Sequence, residues 1–258
     1  MSEARRAQLA RLIAERGFVR VADAAADLDV SEVTIRADLS ALEARGGILR
    51  VHGGAMPAAV VRETSLEASL DRDTAAKQAI GRAAADLVAS GDSLYLDAGS
   101  TAMAVAEALV ARRDLHDVIV VTSGLTIALA LEEAIPRFTV VVTGGTLRPL
   151  QHSLVNPFAA PMIDSLHVDL ALLGCNGIHP DAGVTNRGLP DAEVKRLVIG
   201  ASARRVLIAD GGKIGRIDLA VIAPVNAFDE LVTTAPGPDA AESLAGLERQ
   251  GLNIRLAR

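Results

Sequence analysis

The chain has 258 residues, half of them apolar and only 2% aromatic, with no Trp, one Cys and a net charge of −6. That length suits one large domain or a small one joined to a medium one, with a core built from Ala, Val, Leu and Ile. A lone Cys175 excludes an internal disulfide, five scattered His exclude a structural zinc, and no apolar run reaches the ~18 residues of a membrane span.

Met1 to Gly17 also lacks the apolar stretch of a signal peptide, so the expectation is a cytoplasmic protein with no metal and no cofactor. Scarce rings leave a neutral sugar no stacking platform and favour a charged ligand held by amides, Arg and Lys. The charge is unevenly spread: residues 1–56 balance eight Arg against eight carboxylates, so all the net acidity lies beyond them.

Ala4 to Glu15 reads as a helix with Leu9, Leu12 and Ile13 on one face, ended by Gly17. Val21 to Leu28 is a second, short helix. Ser31 is an N-cap for a third, Glu32 to Arg45, which Gly46-Gly47 stops. Ile48 to Val51 is then a strand and His52-Gly53-Gly54 a turn. Three helices, a tight turn and a small β element outline a winged helix-turn-helix.

The third helix carries the chemistry. With Ile35 at zero on a wheel of ~100° per residue, Leu39 and Leu42 fall within about 40° of it, so these three bury together. The opposite face holds Val33, Ala37 and Ser40, flanked by Thr34, Ala41 and Arg36. A face of small residues fits a DNA major groove: Val33 or Ala37 against a thymine methyl, Arg36 to guanine or phosphate. Arg45, Arg50 and His52 lie toward the DNA backbone or the neighbouring groove, and the N-cap Ser31 is counted among the DNA-binding residues. The competing reading is a helical bundle with a solvated polar face.

The run Val21-x-Asp23-x-Ala25 … Leu28-x-Val30-Ser31-x-x-Thr34-Ile35-Arg36-x-Asp38-Leu39 … Leu42, followed by Leu49-Arg50-Val51-His52-Gly53-Gly54-Ala55, resembles the DNA-binding signature of the DeoR family of bacterial regulators. It departs at Ala37, where the family usually has a second Arg. With a balanced charge, that departure implies weak nonspecific binding and reliance on oligomer avidity.

Residues 1–57 are thus assigned to a DNA-binding domain, 58–73 to a linker and 74–258 to an α/β domain. Thr74 to Ala89 reads as a helix. Strands are expected at Ser93–Asp97, Val118–Thr122, Phe138–Thr143, Val168–Leu173, Arg205–Ala209, Glu230–Thr233 and Asn253–Leu256. Helices are expected at Leu125–Ala134, Pro157–Ser165, Pro190–Arg204 and Ala240–Gln250. The alternation predicts a mostly parallel sheet covered on both faces, with ligands at the strand ends.

Those ends are rich in glycine. Asp97-Ala98-Gly99-Ser100-Thr101 turns a strand into a helix, where N–H groups, hydroxyls and the helix dipole suit a phosphate or carboxylate. Thr122-Ser123-Gly124, Gly144-Gly145-Thr146 with Arg148, Gly174-Cys175-Asn176-Gly177 and Asp210-Gly211-Gly212-Lys213 follow. Any one of them is also a plain turn; as a set, with two cations, they suit a phosphorylated polyol. The amide of Gly99 with Ser100 and Thr101 would hold phosphate, Arg148 and Lys213 would neutralise it, and Asp97 and Asn176 would read hydroxyls. Ser123, Gly124 and Gly145 complete the rim.

Lys77 to Thr234 resembles the sensor domain of the same family, related in fold to ribose-5-phosphate isomerase and the CoA-transferases. Ser123 stands where the family commonly has Asn, and Asn156 where it commonly has Gly. The resemblance implies a repressor of carbohydrate-metabolism genes, a dimer or tetramer on double-stranded operator DNA, controlled by a sugar phosphate. The kinship keeps an active isomerase or transferase as the rival. Against it, the acidic segment of the enzymes is replaced here by Gly174-Cys175-Asn176-Gly177; Asp181, Asp191 and Glu193 remain nearby, and Cys175 offers a nucleophile without a visible His. A third reading is an architectural DNA binder with no effector.

Overall fold

The computed structural model describes residues 2–16, 19–51, 53–57 and 64–258. The chain forms two compact units, Met1–Glu63 with Ile217–Leu219, and Thr64–Arg216 with Ala220–Arg258.

In the first unit α1 is Ser2–Arg16, β1 Val19–Arg20, α2 Val21–Asp27, α3 Glu32–Ala44, β2 Ile48–Val51 and β3 Gly54–Pro57. The three strands form one antiparallel sheet in the order β1-β3-β2. Sequence reasoning did not anticipate β1, which is two residues long and carries no periodicity. Leu9 and Ile13 of α1 meet Ile35, Leu39 and Leu42 of α3 with Val19, Ile48 and Ala55 in a single small core. Each large aliphatic so buried contributes about 1.5–3 kcal/mol.

The second unit opens with α4 (Leu66–Leu70), inside the stretch read as linker, and α5 (Thr74–Ala85). There follow β4 (Ser93–Leu96), α6 (Ser100–Ala111), β5 (Val118–Thr122), α7 (Leu125–Leu131), β6 (Phe138–Val142), β7 (Thr146–Arg148), β8 (Ser153–Val155) and α8 (Ala159–Asp164). Next come β9 (Val168–Leu173), β10 (Gly177–His179), β11 (Gly183–Asn186), α9 (Leu189–Gly200), β12 (Ser202–Ile208) and β13 (Ala220–Ala223). The chain finishes with β14 (Glu230–Thr233), α10 (Ala241–Arg249) and β15 (Asn253–Leu256).

Seven of these strands make one parallel sheet in the order β15-β14-β12-β9-β4-β5-β6. Its strands are continuous Val/Ile/Leu runs because both faces are covered. Leu94, Leu96, Val120, Leu170, Leu172, Val206 and Ile208 pack on one side with α5, α6 and α7. Tyr95, Val121, Ala171, Leu173 and Leu207 pack on the other with α8, α9 and α10. The hairpin β7–β8 and the antiparallel sheet β10-β11-β13 are additions that the alternation of strand and helix did not announce. The expected helix from Pro190 to Arg204 ends earlier, at Gly200, and Ser202 already begins β12.

The positioning consequence is simple. Leu96, Thr122 and Val142 stand level in β4, β5 and β6, and Leu96 stands level with Leu172 of β9. The C-terminal ends of β12, β9, β4, β5 and β6 are therefore five neighbours along one rim.

Candidate functional site

Two sites emerge, one in each unit. In the first, Ser31 is the N-cap of α3: its hydroxyl accepts from Thr34 N–H at 3.2 Å and lies 2.9 Å from Thr34 Oγ1. Ile35, Leu39 and Leu42 are buried, whereas Val33 is 73% exposed and Arg36, Ala37 and Ser40 are exposed too. The wheel thus places the small-residue face outward. Arg36 donates to Glu32 at 2.6 Å, one helical turn back. Arg50 donates to Ser40 Oγ at 2.7 Å, and Ser40 donates to the Arg36 carbonyl at 2.9 Å. Arg45 pairs with Glu3. His52 lies outside the described residues.

Two features here escaped sequence reasoning. Arg20, Arg36 and Arg50 line one cleft of about 440 Å³ with Glu32 and the backbone of Gly53 and Gly54. Asp38, 2% exposed, takes Arg5 Nε at 2.5 Å and Arg6 Nε at 2.9 Å, pinning α1 to α3. Burial pushes the Asp38 carboxyl up, but the two guanidinium groups outweigh it and hold it below the usual carboxylate range. The signal for Asp38 was its position beside Leu39 on the inward side of the wheel.

In the second unit, Gly99 lies between β4 and α6 with φ +110°, a left-handed conformation that favours glycine, and no side chain caps α6. Ser100 and Thr101 are half-buried at its first turn. Gly124 abuts Ala98, since a Cβ on it would come 3.3 Å from the Ala98 Cβ, so the turns after β4 and β5 touch. Gly145 has φ +147°, and a Cβ there would meet Val155 O at 2.0 Å; only glycine lets β8 close on this turn. Ser123 is buried and accepts from Tyr95 Oη at 3.2 Å. Lys213 is half-buried, two strands from the Gly99 turn, in a loop that Asp210 caps through Gly212 N–H at 3.0 Å. Asn176 Oδ1 accepts from Arg187 N–H at 2.8 Å, which ties the turn after β9 to the segment leading into α9.

Asp97, which sequence reasoning made a reader of ligand hydroxyls, is buried and engaged by the protein's own groups. Its Oδ2 lies 2.9 Å from Lys195 Nζ and accepts from Gly174 N–H at 2.7 Å. Lys195, absent from the sequence-based site, is the centre of a buried network. It also reaches Gly174 O at 2.8 Å, Asp191 Oδ2 at 3.2 Å and Asn186 Oδ1 at 3.4 Å. Arg148 joins from the hairpin, 3.3 Å from Asp191 Oδ1. The legible hint was a lysine inside the apolar stripe Ala192, Val194, Val198 of α9.

Burial alone would discharge Lys195, but Asp191 and Asp97 outweigh it and raise its pKa. Burial raises Asp97, and Lys195 recovers only part of that. Asp191 is pushed up by burial and pulled below its ordinary value by Lys195 and Arg148. These groups satisfy one another inside the protein. Asp191, held low by Lys195 and Arg148, is a poor proton acceptor, and burial pushes the Cys175 thiol up to about 12, far from a thiolate nucleophile. Among the described residues no group of three or more His, Cys, Asp or Glu could hold a metal ion, and no helix is long and apolar enough to cross a membrane.

Comparison with known families decides what this pairing of sites is. Residues 5–58 match the DeoR-like helix-turn-helix domain and residues 72–235 the DeoR C-terminal sensor domain. This chain belongs to the DeoR family. It is a winged helix-turn-helix transcriptional regulator with an α/β sensor domain, and not an enzyme. Among its relatives, the HTH-type transcriptional regulator YgbI of Escherichia coli is 32% identical over 98% of this chain and 97% of that one. The glycerol-3-phosphate regulon repressor of Escherichia coli is 30% identical over 88% of each. Ribose 5-phosphate isomerase from Plasmodium falciparum, 20% identical, superposes with a TM-score of 0.39 over 53% of this chain and 51% of that one.

Proposed function

We propose that this DeoR-family protein is a cytoplasmic repressor of carbohydrate-metabolism genes. It binds double-stranded operator DNA as a dimer or tetramer and releases it when a phosphorylated sugar occupies the strand-end rim. Residues 1–57 read DNA, 58–73 connect and 74–258 sense. The observation that carries the reading is the row of glycine turns on five adjacent parallel strands, centred on a helix start that no side chain caps. The relative that is a glycerol-3-phosphate regulon repressor supports the same ligand chemistry.

On the DNA side, Val33, Thr34, Ala37 and Ser40 lie against base edges, with Ser31 at the helix start. Arg36 exchanges Glu32 for guanine or phosphate, and Arg20, Arg45, Arg50 and His52 take backbone phosphates. One head makes few contacts and carries no net charge, so paired half-sites supply the affinity. On the sensor side, the Gly99 amide, Ser100 and Thr101 hold phosphate, Arg148 and Lys213 supply positive charge, and Asn176 with the Ser123, Gly124 and Gly145 turns shapes the remainder. Asp97 and Lys195 position these loops. The ligand acts by binding the released arrangement more tightly than the DNA-bound one.

The test uses fluorescence anisotropy with DNA from upstream of the protein's own gene and a panel of sugar phosphates. Arg36→Ala weakens DNA binding by about 1–3 kcal/mol and leaves ligand binding intact. Lys213→Ala binds DNA as the parent does and no longer releases it. Release by no phosphate ester, or full DNA affinity in Arg36→Ala, refutes the reading.

A further inference from the structure

Among the described residues, three buried side-chain atoms find no hydrogen-bond partner: Thr143 Oγ1, Ser153 Oγ and Asn156 Oδ1. Thr143 is 1% exposed and Ser153 0%. Backbone pairing sets Thr143 and Ser153 beside the end of β5, and Asn156 beside the turn after β6. Val142 is level with Thr122, so Thr143 stands beside Ser123, and its N–H donates to Thr122 O at 2.9 Å. Ser153 is bridged to Gly124, and Leu154 N–H donates to Ser123 O at 2.8 Å. Asn156 follows Val155, which pairs with Thr146 and lies against Gly145.

Strand alternation fixes the direction. Asp97, Ser123 and Thr143 follow the level residues Leu96, Thr122 and Val142, so their side chains leave the sheet on the side of Tyr95, Val121 and Val141. Ser153 shares a face of β8 with Val155, which packs into that same core. Buried hydroxyls are ordinarily paired, and apolar replacements of the same shape would be cheaper than leaving them unpaired. Two hydroxyls on one side of the sheet, with the Asn156 amide next along the chain after Val155 and none of the three charged, call for a neutral partner that both donates and accepts.

We propose that Thr143, Ser153 and Asn156 form a polyol-reading subsite, which takes the hydroxyls at the far end of a phosphorylated five- or six-carbon sugar. The proposal rests on the reading of the rim as a sugar-phosphate sensor, with phosphate at Ser100 and Thr101. From β4 to β6 is two strand spacings, about 10 Å. A three-carbon phosphate cannot touch both ends; a pentose or hexose phosphate can.

Isothermal titration calorimetry of the full-length protein tests this with inorganic phosphate, glycerol 3-phosphate, D-ribose 5-phosphate and D-fructose 6-phosphate. The parent binds one of the longer esters roughly tenfold or more tighter than glycerol 3-phosphate. Thr143→Val and, separately, Ser153→Ala each cut that advantage by about fivefold and leave inorganic phosphate and glycerol 3-phosphate unchanged. Thr143→Val also raises the melting temperature of the ligand-free protein by about 2–4 °C, because an unpaired hydroxyl has gone. Glycerol 3-phosphate binding as tightly as the longer esters, or a preference that survives both substitutions, overturns the subsite and leaves the sensor reading standing. Binding of no ester by the parent overturns both.

Discussion

The two units handle charge in opposite ways. On the head, the arginines of the reading face are exposed and paired locally: Arg36 with Glu32, Arg45 with Glu3, Arg50 with Ser40. In the sensor, Lys195 and Asp97 are buried behind the rim, with the half-buried Asp191 paired to Lys195. An exposed pair contributes about 0–1 kcal/mol and can trade its carboxylate for a phosphate at little cost. A buried pair cannot trade, because either member left alone is an uncompensated charge. The head is therefore built for exchange and the sensor scaffold for permanence.

Breaking one pair of each kind puts this contrast to the test. Lys195→Met strands two carboxylates and should cost the sensor about 3–5 kcal/mol, read by denaturant unfolding. Asp38→Asn tests the buried carboxylate that Arg5 and Arg6 share in the head and should cost roughly 1.5–3 kcal/mol, seen as faster hydrogen exchange of the α3 amides. Asp38 also sets a pH dependence. Its folded pKa lies below the unfolded value of about 3.9, so its contribution is complete above that value and is lost as pH falls through the folded pKa. The steepening of α3 exchange in acid should shrink in Asp38→Asn; an unaltered acid profile would show that other groups control it. Ser31→Ala removes the cap of α3 and should cost about 1 kcal/mol. Glu32→Gln should be the mildest, within about 0.5 kcal/mol in stability. It frees Arg36, and it should tighten DNA binding and steepen its salt dependence by about one ion.

Much of this architecture could be read before any coordinates. Val118–Thr122, Val168–Leu173, Glu230–Thr233 and Asn253–Leu256 are strands because short apolar runs bounded by turn residues have few other uses. The inward trio of α3 followed from helical periodicity. The small antiparallel pieces escaped because strands such as Gly177–His179 and Ser153–Val155 are too short to show alternation. The site was legible as a row of glycine turns and illegible in its electrostatics. Asp191 read only as a carboxylate near the strand ends; the Lys195 that pairs with it also pairs with Asp97, nearly a hundred positions away, which no local pattern reveals. For the same reason Thr143 read only as the end of a strand, and nothing singled out Ser153.

The threefold meeting of Lys195, Asp97 and Asp191 also limits how this sensor can be re-engineered or can drift. Any single replacement within the trio crosses a valley of instability, whereas Ser123, Thr143, Ser153 and Asn156 can be exchanged one at a time without stranding an ion. New ligand preferences are therefore reached along the hairpin and the β5–β6 turns, around a keystone that changes only as a set.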